Sequence, residues 1–147
     1  SSDLIAEYEK RLNGRYANIS IISVADEKTT EGASEAEERE VRRREGERLL
    51  AKLPQGRGVW TIALAIDGKA CDSVELSRHI QELNVRGISH IVWIIGGSPG
   101  LSEEVLRAAN EKVSFSRLTF PHQMMRVILL EQIYRSCRII MNEPYHK

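Results

Sequence analysis

Apolar residues follow two kinds of pattern along this chain, and segments of the two kinds alternate. Short, nearly continuous apolar stretches are typical of β-strands, and longer segments with apolar residues every three or four positions are typical of amphipathic helices. The pattern predicts strands over 17–25, 58–67 and 89–97, a strand or extended segment over 113–122, and helices over 3–13, 34–53, 72–87, 101–112 and 123–142. This alternation predicts one α/β domain with a mainly parallel sheet.

Short polar residues mark the start of three of these helices. Ser34 with Glu37 three residues later has the pattern of a capping box. Asp72 or Ser73 is expected to cap the helix over 72–87, and Ser102 the helix over 101–112. Gly68 is expected to turn the chain after the strand over 58–67.

The balance of residue types is that of an ordinary soluble domain, with 41% hydrophobic and 29% charged residues among 147. No apolar run approaches the length of a membrane span, and no signal peptide is recognisable, although a start at Ser1 suggests trimming. Cys71 and Cys137 lie in unlike contexts, which fits a reducing, cytoplasmic setting. The formal net charge of zero argues against a general nucleic-acid coat protein, whereas residues 107–147 carry a local basic excess.

The strand over 89–97 leads into a loop with the pattern G-x-S-x-G at residues 96–100. In a hydrolase of the nucleophile-elbow type, Ser98 would be the nucleophile and the next residue would donate its backbone N–H to the oxyanion. That next residue is Pro99, which has no N–H, and the chain is short for that fold. Two interpretations stay open: glycines that let a ligand approach the end of a parallel strand, and a tight strand-to-helix turn.

Three further features near the C-terminus have ordinary structural interpretations. Aromatic residues in segment 115–120 are typical of a core beside a strand. The helix over 123–140 has an apolar surface broad enough to predict a second covered face, against another subunit. The tail, "NEPYHK", is of a kind that is usually frayed. The four histidines are not in ligand spacing and no acidic cluster accompanies them, so no metal site is expected; they are His79, His90, His122 and His146.

Three blocks in order and spacing, "IIGGSPGLSEEV", "SFSRLTFPHQMMRVILLEQIYR" and "EPYHK", resemble the bacterial ribosomal RNA large subunit methyltransferase H family of the SPOUT superfamily. The resemblance spans nearly the whole chain. It implies a single SPOUT domain over 1–147, a mainly parallel sheet flanked by helices, and a C-terminal trefoil knot. Members begin with an apolar strand before the first helix, whereas this sequence begins within that helix, so the first strand of the sheet is not expected here. The family's activity is the methylation of N3 of a pseudouridine in large-subunit (23S) ribosomal RNA on assembled ribosomes, by a homodimer that uses S-adenosylmethionine.

The resemblance also assigns a methyl-donor site. The glycines of the 96–100 loop would make room for the donor, and Ser98 would have no role. Backbone groups of the 115–120 segment would hydrogen-bond the adenine, with leucines packed on its faces. The implied cofactor-binding residues are Leu64, Gly96, Gly97, Phe115, Ser116, Arg117, Leu118, Thr119 and Phe120.

Methyl transfer to N3 requires loss of the weakly acidic N3 proton, which a base or an oxyanion-stabilising cation would assist. In the family's arrangement the polar candidates are His122, Arg126, Tyr145 and His146. The tail residues Tyr145 and His146 are favoured, reaching a neighbouring subunit's site, with Arg126 and Arg135 on phosphates or uracil oxygens. Two alternatives stay open: a non-catalytic ribosome-binding protein with the same fold, and a SPOUT methyltransferase that acts on another RNA.

Overall fold

The computed structural model describes residues 18–23, 34–96 and 100–146, together with positions 3, 4, 7 and 32. Positions 3, 4 and 7 are helical, and the rest of the helix expected over 3–13 lies outside the described residues. The strands are β1 (Asn18–Ser23), β2 (Val59–Ala70), β3 (His90–Ile95) and β4 (Glu111–Ser114). The helices are α1 (Glu35–Lys52), α2 (Ser73–Val85), α3 (Glu103–Ala108) and α4 (His122–Ile140).

The four described strands form one parallel sheet in the order β1-β3-β2-β4. Alternate residues of the central strand β3 face opposite ways. Trp93 packs in the larger core with Leu83 of α2 and Leu129 of α4, whereas Ile94 packs with Leu49 of α1 and Val105 of α3. Helices therefore cover both faces of the sheet, which confirms the predicted α/β class with a mainly parallel sheet.

The helix starts follow the predicted caps. The Ser34 hydroxyl accepts from the backbone N–H of Glu37 at 3.2 Å. Asp72, rather than Ser73, caps α2 and forms a complete capping box with Glu75. Ser102 accepts from the N–H of Val105 at 3.3 Å at the start of α3. These local hydrogen bonds satisfy amides that have no partner inside the helix.

The predicted end of α3 at residue 112 is wrong, because the helix ends at Ala108 and β4 begins at Glu111. Asn110 forms two hydrogen bonds to the backbone of Thr61 in β2. Its side-chain oxygen accepts from the Thr61 N–H at 2.7 Å, and its own N–H donates to the Thr61 carbonyl at 2.8 Å. Pairing with a distant strand thus overrides the helical periodicity of this segment.

The predicted end of the second strand at residue 67 is also wrong, since β2 continues to Ala70. Leu64 and Lys69 both pair with Val113 of β4, so residues 65–68 leave the ladder and return to it. Gly68 makes the return possible. A Cβ placed there would lie 2.7 Å from the carbonyl carbon and 2.8 Å from the nitrogen of Val113. The sequence correctly marked Gly68 as a special position, but it serves a bulge within the strand rather than a final turn.

We expect Gly68→Ala to destabilise the protein by about 1–3 kcal/mol, the usual cost of overpacking. The added methyl group would meet backbone atoms of β4, which cannot rotate away as a flexible side chain can. Chemical denaturation measures the change, with Lys69→Ala at the exposed neighbouring position as the control. A free energy of unfolding equal to that of the unaltered protein would show that β4 can move aside.

Candidate functional site

A cavity of about 310 Å³ opens at the carboxyl ends of the parallel strands. The end of β3 contributes Ile95 and Gly96, the bulge of β2 contributes Leu64 to Asp67, and the segment after β4 contributes most of the opposite wall. The first turn of α4 closes one side with His122 and Met125. Open parallel sheets bind ligands at this edge, and the volume lies in the range of small-molecule sites.

The cavity brings together seven of the nine positions that the resemblance assigns to the methyl donor. They are Leu64, Gly96, Phe115, Ser116, Leu118, Thr119 and Phe120. Gly97 lies outside the described residues, as do Ser98 and Pro99. Arg117 is exposed and does not line the cavity. The binding role of each position stays a prediction.

Gly96 has no room for a side chain, because Leu101 packs against it. A Cβ at this position would lie 2.7 Å from Cδ2 and 2.9 Å from Cγ of Leu101, and 3.1 Å from the carbonyl carbon of Gly100. Gly100 itself has a φ of 87°, which L residues rarely adopt. The absence of a side chain at Gly96 and the backbone conformation of Gly100 therefore allow Gly100 and Leu101 to pack closely against the end of β3.

The loop after β4 is shaped by its own side chains. The Ser116 hydroxyl accepts from the N–H of Leu118 at 2.9 Å, and the Ser114 hydroxyl donates to the carbonyl of Ser116 at 3.1 Å. Phe115 packs at an angle against Trp93, with ring centroids 6.3 Å apart. The Leu118 amide and the Ser116 carbonyl therefore each have a partner within this segment.

Sequence reasoning missed several lining residues. The most informative are Ala65, Ile66 and Asp67, which reach the cavity because they leave the β2 ladder. The signal for this bulge was the Asp67-Gly68 pair, which marks a turn. Asp67 also pairs with Lys112 of β4, with Nζ and Oδ2 3.2 Å apart. Ile95, Leu101, Leu106 and Met125 complete the missed set.

The four candidate catalytic residues lie at two separate places along the length of α4. His122 lines the cavity, and the half-buried Arg126 lies one turn further along the helix. Tyr145 and His146 contact Arg135, thirteen residues beyond His122. At 1.5 Å per residue that separation is about 20 Å. The tail of one chain therefore lies far from the cavity of the same chain.

The tail is docked against its own helix. Tyr145 meets the ring of Tyr134 edge-on with centroids 5.0 Å apart, and its hydroxyl donates to Glu131 at 3.3 Å. Arg138 donates to Glu143 at 2.8 Å. The tail is thus packed along α4 in this structure, in contrast to the frayed end that its composition suggests.

Neither cysteine is positioned to react in the cavity. Both cysteines are free thiols; burial raises the pKa of Cys137 to about 12, and burial together with the Glu75 and Asp72 carboxylates raises that of Cys71. Neither lines the cavity, and both stay protonated near neutral pH.

Within 34–96 and 100–146, no group of three or more His, Cys, Asp or Glu side chains is arranged to hold a metal ion. None of the helices in the described part of the chain is long and apolar enough to cross a membrane.

The protein is an α/β protein with a cavity at the carboxyl ends of its parallel strands, the edge at which open parallel sheets bind ligands. The family described as "Predicted SPOUT methyltransferase" matches residues 1–146, and the chain belongs to this family. Curated relatives named ribosomal RNA large subunit methyltransferase H are closely similar. The protein from Listeria monocytogenes serotype 4a is 52% identical over 143 residues, covering 97% of this chain and 88% of the relative. That from Bifidobacterium adolescentis is 52% identical over 145 residues, covering 99% and 89%. The resemblance inferred from sequence is confirmed.

Proposed function

We propose that this protein is an S-adenosylmethionine-dependent methyltransferase that modifies N3 of a pseudouridine in large-subunit ribosomal RNA. The observation that carries the proposal is the cavity at the strand ends, lined by seven positions that the family assigns to its methyl donor, in a chain 52% identical to relatives named for this activity. We extend the proposal to the finer features of the family: action on assembled ribosomes, a cytoplasmic location, and a C-terminal trefoil knot.

The residues present fit the proposed donor. An adenine needs an apolar slot, which Leu64, Leu118 and Phe115 provide, and a few backbone partners, which the 115–120 loop offers. When bound, S-adenosylmethionine supplies an electrophilic methyl group. The remaining work of the protein is to orient the base and to help its N3 proton leave. His122 is a candidate because it lines the cavity, and Arg126, one turn further along α4, is the candidate cation for a developing oxyanion.

A homodimer would bring the tail to the cavity. The α4 face containing Met124, Ile128, Glu131 and Arg135 runs from the mouth of the cavity to the docked tail. Antiparallel packing of two such faces would place the tail of one chain, with Tyr145 and His146, at the cavity of its partner. Leu118 beside the cavity and Met124 on α4 are 67% and 51% exposed in the single chain, which supports a covering partner here.

We expect Met124→Glu to convert a dimer into a monomer, because the variant places a charge in an apolar interface. Met124 is half exposed in the single chain, so the fold should tolerate the change. Light scattering at micromolar concentration measures the mass. The matched control is Val85→Glu at the end of α2, where the valine is 82% exposed. A monomeric unaltered protein, or a dimeric Met124→Glu variant, would contradict this arrangement.

We expect Ser98→Ala to leave the methylation rate nearly unchanged. The residue after Ser98 is Pro99, which has no N–H for an oxyanion, and the proposed reaction needs no serine nucleophile. Methyl incorporation into ribosomes provides the measurement. A fall of about a hundredfold, the scale of a lost catalytic group, would restore the hydrolase-type interpretation.

Two experiments test the proposal as a whole. Calorimetry should show binding of S-adenosylmethionine, and its absence would favour a non-catalytic ribosome-binding protein with the same fold. Modified nucleotides should then be mapped on ribosomes and transfer RNA from cells with and without the protein. Loss of one N3-methylated pseudouridine from the large subunit is the expected result. Loss of a methyl group only from another RNA would identify a SPOUT enzyme with a different target.

A further inference from the structure

Arg135 lies at the centre of the contacts that hold the tail. Its guanidinium carbon is 4.9 Å from the centroid of the Tyr145 ring, a cation–π geometry. Its Nη1 lies 3.0 Å from Nδ1 of His146. One side chain of α4 thus contacts both tail residues that are proposed to act in catalysis.

Arg135 is itself fixed in place. Its Nε and Nη2 donate to the same Oε1 of Glu131 at 3.0 and 2.6 Å. Glu131 accepts from the Gln132 side chain at 2.9 Å through its other oxygen. Gln132 accepts from the Ser73 hydroxyl at the start of α2 at 2.7 Å. The chain of bonds ties the tail to two helices of the core and limits the orientations open to the guanidinium.

The contact to His146 determines which ring nitrogen carries the proton. A guanidinium has only donors and stays protonated in proteins, so Nδ1 of His146 must accept. In the neutral ring the proton is then on Nε2. Because His146 is exposed, this Nε2–H can be presented to a bound base.

We propose that Arg135 is a positioning residue that orders the tail and holds His146 as the Nε2–H tautomer. His146 then acts as a hydrogen-bond donor to a carbonyl oxygen of the target base, and it does not remove the N3 proton. Donation to this oxygen stabilises the negative charge that develops as the N3 proton leaves to His122, the candidate base that lines the cavity. The inference rests on the proposed function of the tail and assigns it a chemical role.

The tautomer can be observed directly. In protein labelled with ¹⁵N at histidine, nitrogen spectra recorded above neutral pH should show His146 with its proton on Nε2 and an unprotonated Nδ1. Arg135→Met should give a mixture of tautomers, and Arg107→Met, on an exposed part of α3, should leave the spectrum unchanged. A proton on Nδ1 in the unaltered protein, or an Arg135→Met spectrum equal to it, would overturn the proposal.

Kinetics separate this role from simple support of the fold. Arg135→Met should lower kcat for ribosome methylation at least about tenfold while donor affinity by calorimetry is unchanged, and Arg135→Lys, which keeps a charged donor, should recover part of the loss. A kcat near that of the unaltered enzyme would contradict the proposal. If Arg135→Met does not fold, the kcat of Arg135→Lys and of Glu131→Gln is compared with that of the unaltered enzyme. An unchanged kcat in both variants would contradict the proposal. An unaltered protein that methylates no RNA would refute the proposed function, and the tautomer measurement would still decide the role of Arg135.

Discussion

Deletion of Tyr145 to Lys147 is expected to leave binding of S-adenosylmethionine intact and to lower methyl transfer by about a hundredfold or more, the scale of lost acid–base or hydrogen-bonding groups. The donor cavity is formed by residues of β2, β3, the 115–120 loop and the first turn of α4. The tail docks about 20 Å away along α4, so its removal leaves the cavity wall complete. The two activities should therefore separate.

Calorimetry for donor binding and methyl incorporation into ribosomes measure the two activities on the same truncated protein. The deletion also removes the edge-on contact between Tyr145 and Tyr134, worth about 0.5–1.5 kcal/mol. Tyr145→Phe controls for fold stability alone, because it keeps the ring that packs on Tyr134 and removes only the hydroxyl that donates to Glu131. Incorporation near the full-length level would transfer the catalytic role to His122 or Arg126.

Gly96→Val is expected to weaken binding of the methyl donor by about tenfold to a hundredfold, which corresponds to about 1.4–2.8 kcal/mol of binding free energy. The valine side chain would collide with Cδ2 and Cγ of Leu101 and press on the Gly100 backbone. Leu101 and Gly100 both line the cavity, so their displacement changes its shape. The loss arises through Leu101, and not from direct contact between valine and ligand.

A double variant tests this mechanism. Leu101→Ala removes the atoms that lie closest to the new side chain, so Gly96→Val combined with Leu101→Ala should bind the donor more tightly than Gly96→Val alone. Leu101→Ala by itself is the control for the lost cavity wall. Unchanged affinity in Gly96→Val would exclude Gly96 from the site, and a double variant no better than the single one would point to direct obstruction of the ligand.

Structural features that depend only on neighbouring residues can be predicted from the sequence. Caps at Ser34, Asp72 and Ser102 form hydrogen bonds within three residues of themselves, so a short window contains all the information. The apolar periods predicted every described strand and helix to within a few residues at most ends. The family blocks marked seven positions that meet in the cavity.

The tertiary structure decided what depends on distant partners. The early end of α3 follows from the two hydrogen bonds between Asn110 and Thr61, which lie in segments about fifty residues apart. The bulge that brings Asp67 to the cavity follows from the register of β2 against Val113. The docking of Tyr145 and His146 on Arg135 depends on a turn after α4 that no periodicity indicates. Sheet order, register and tail placement are set by long-range pairing, and local propensity carries no record of which distant segment will be the partner.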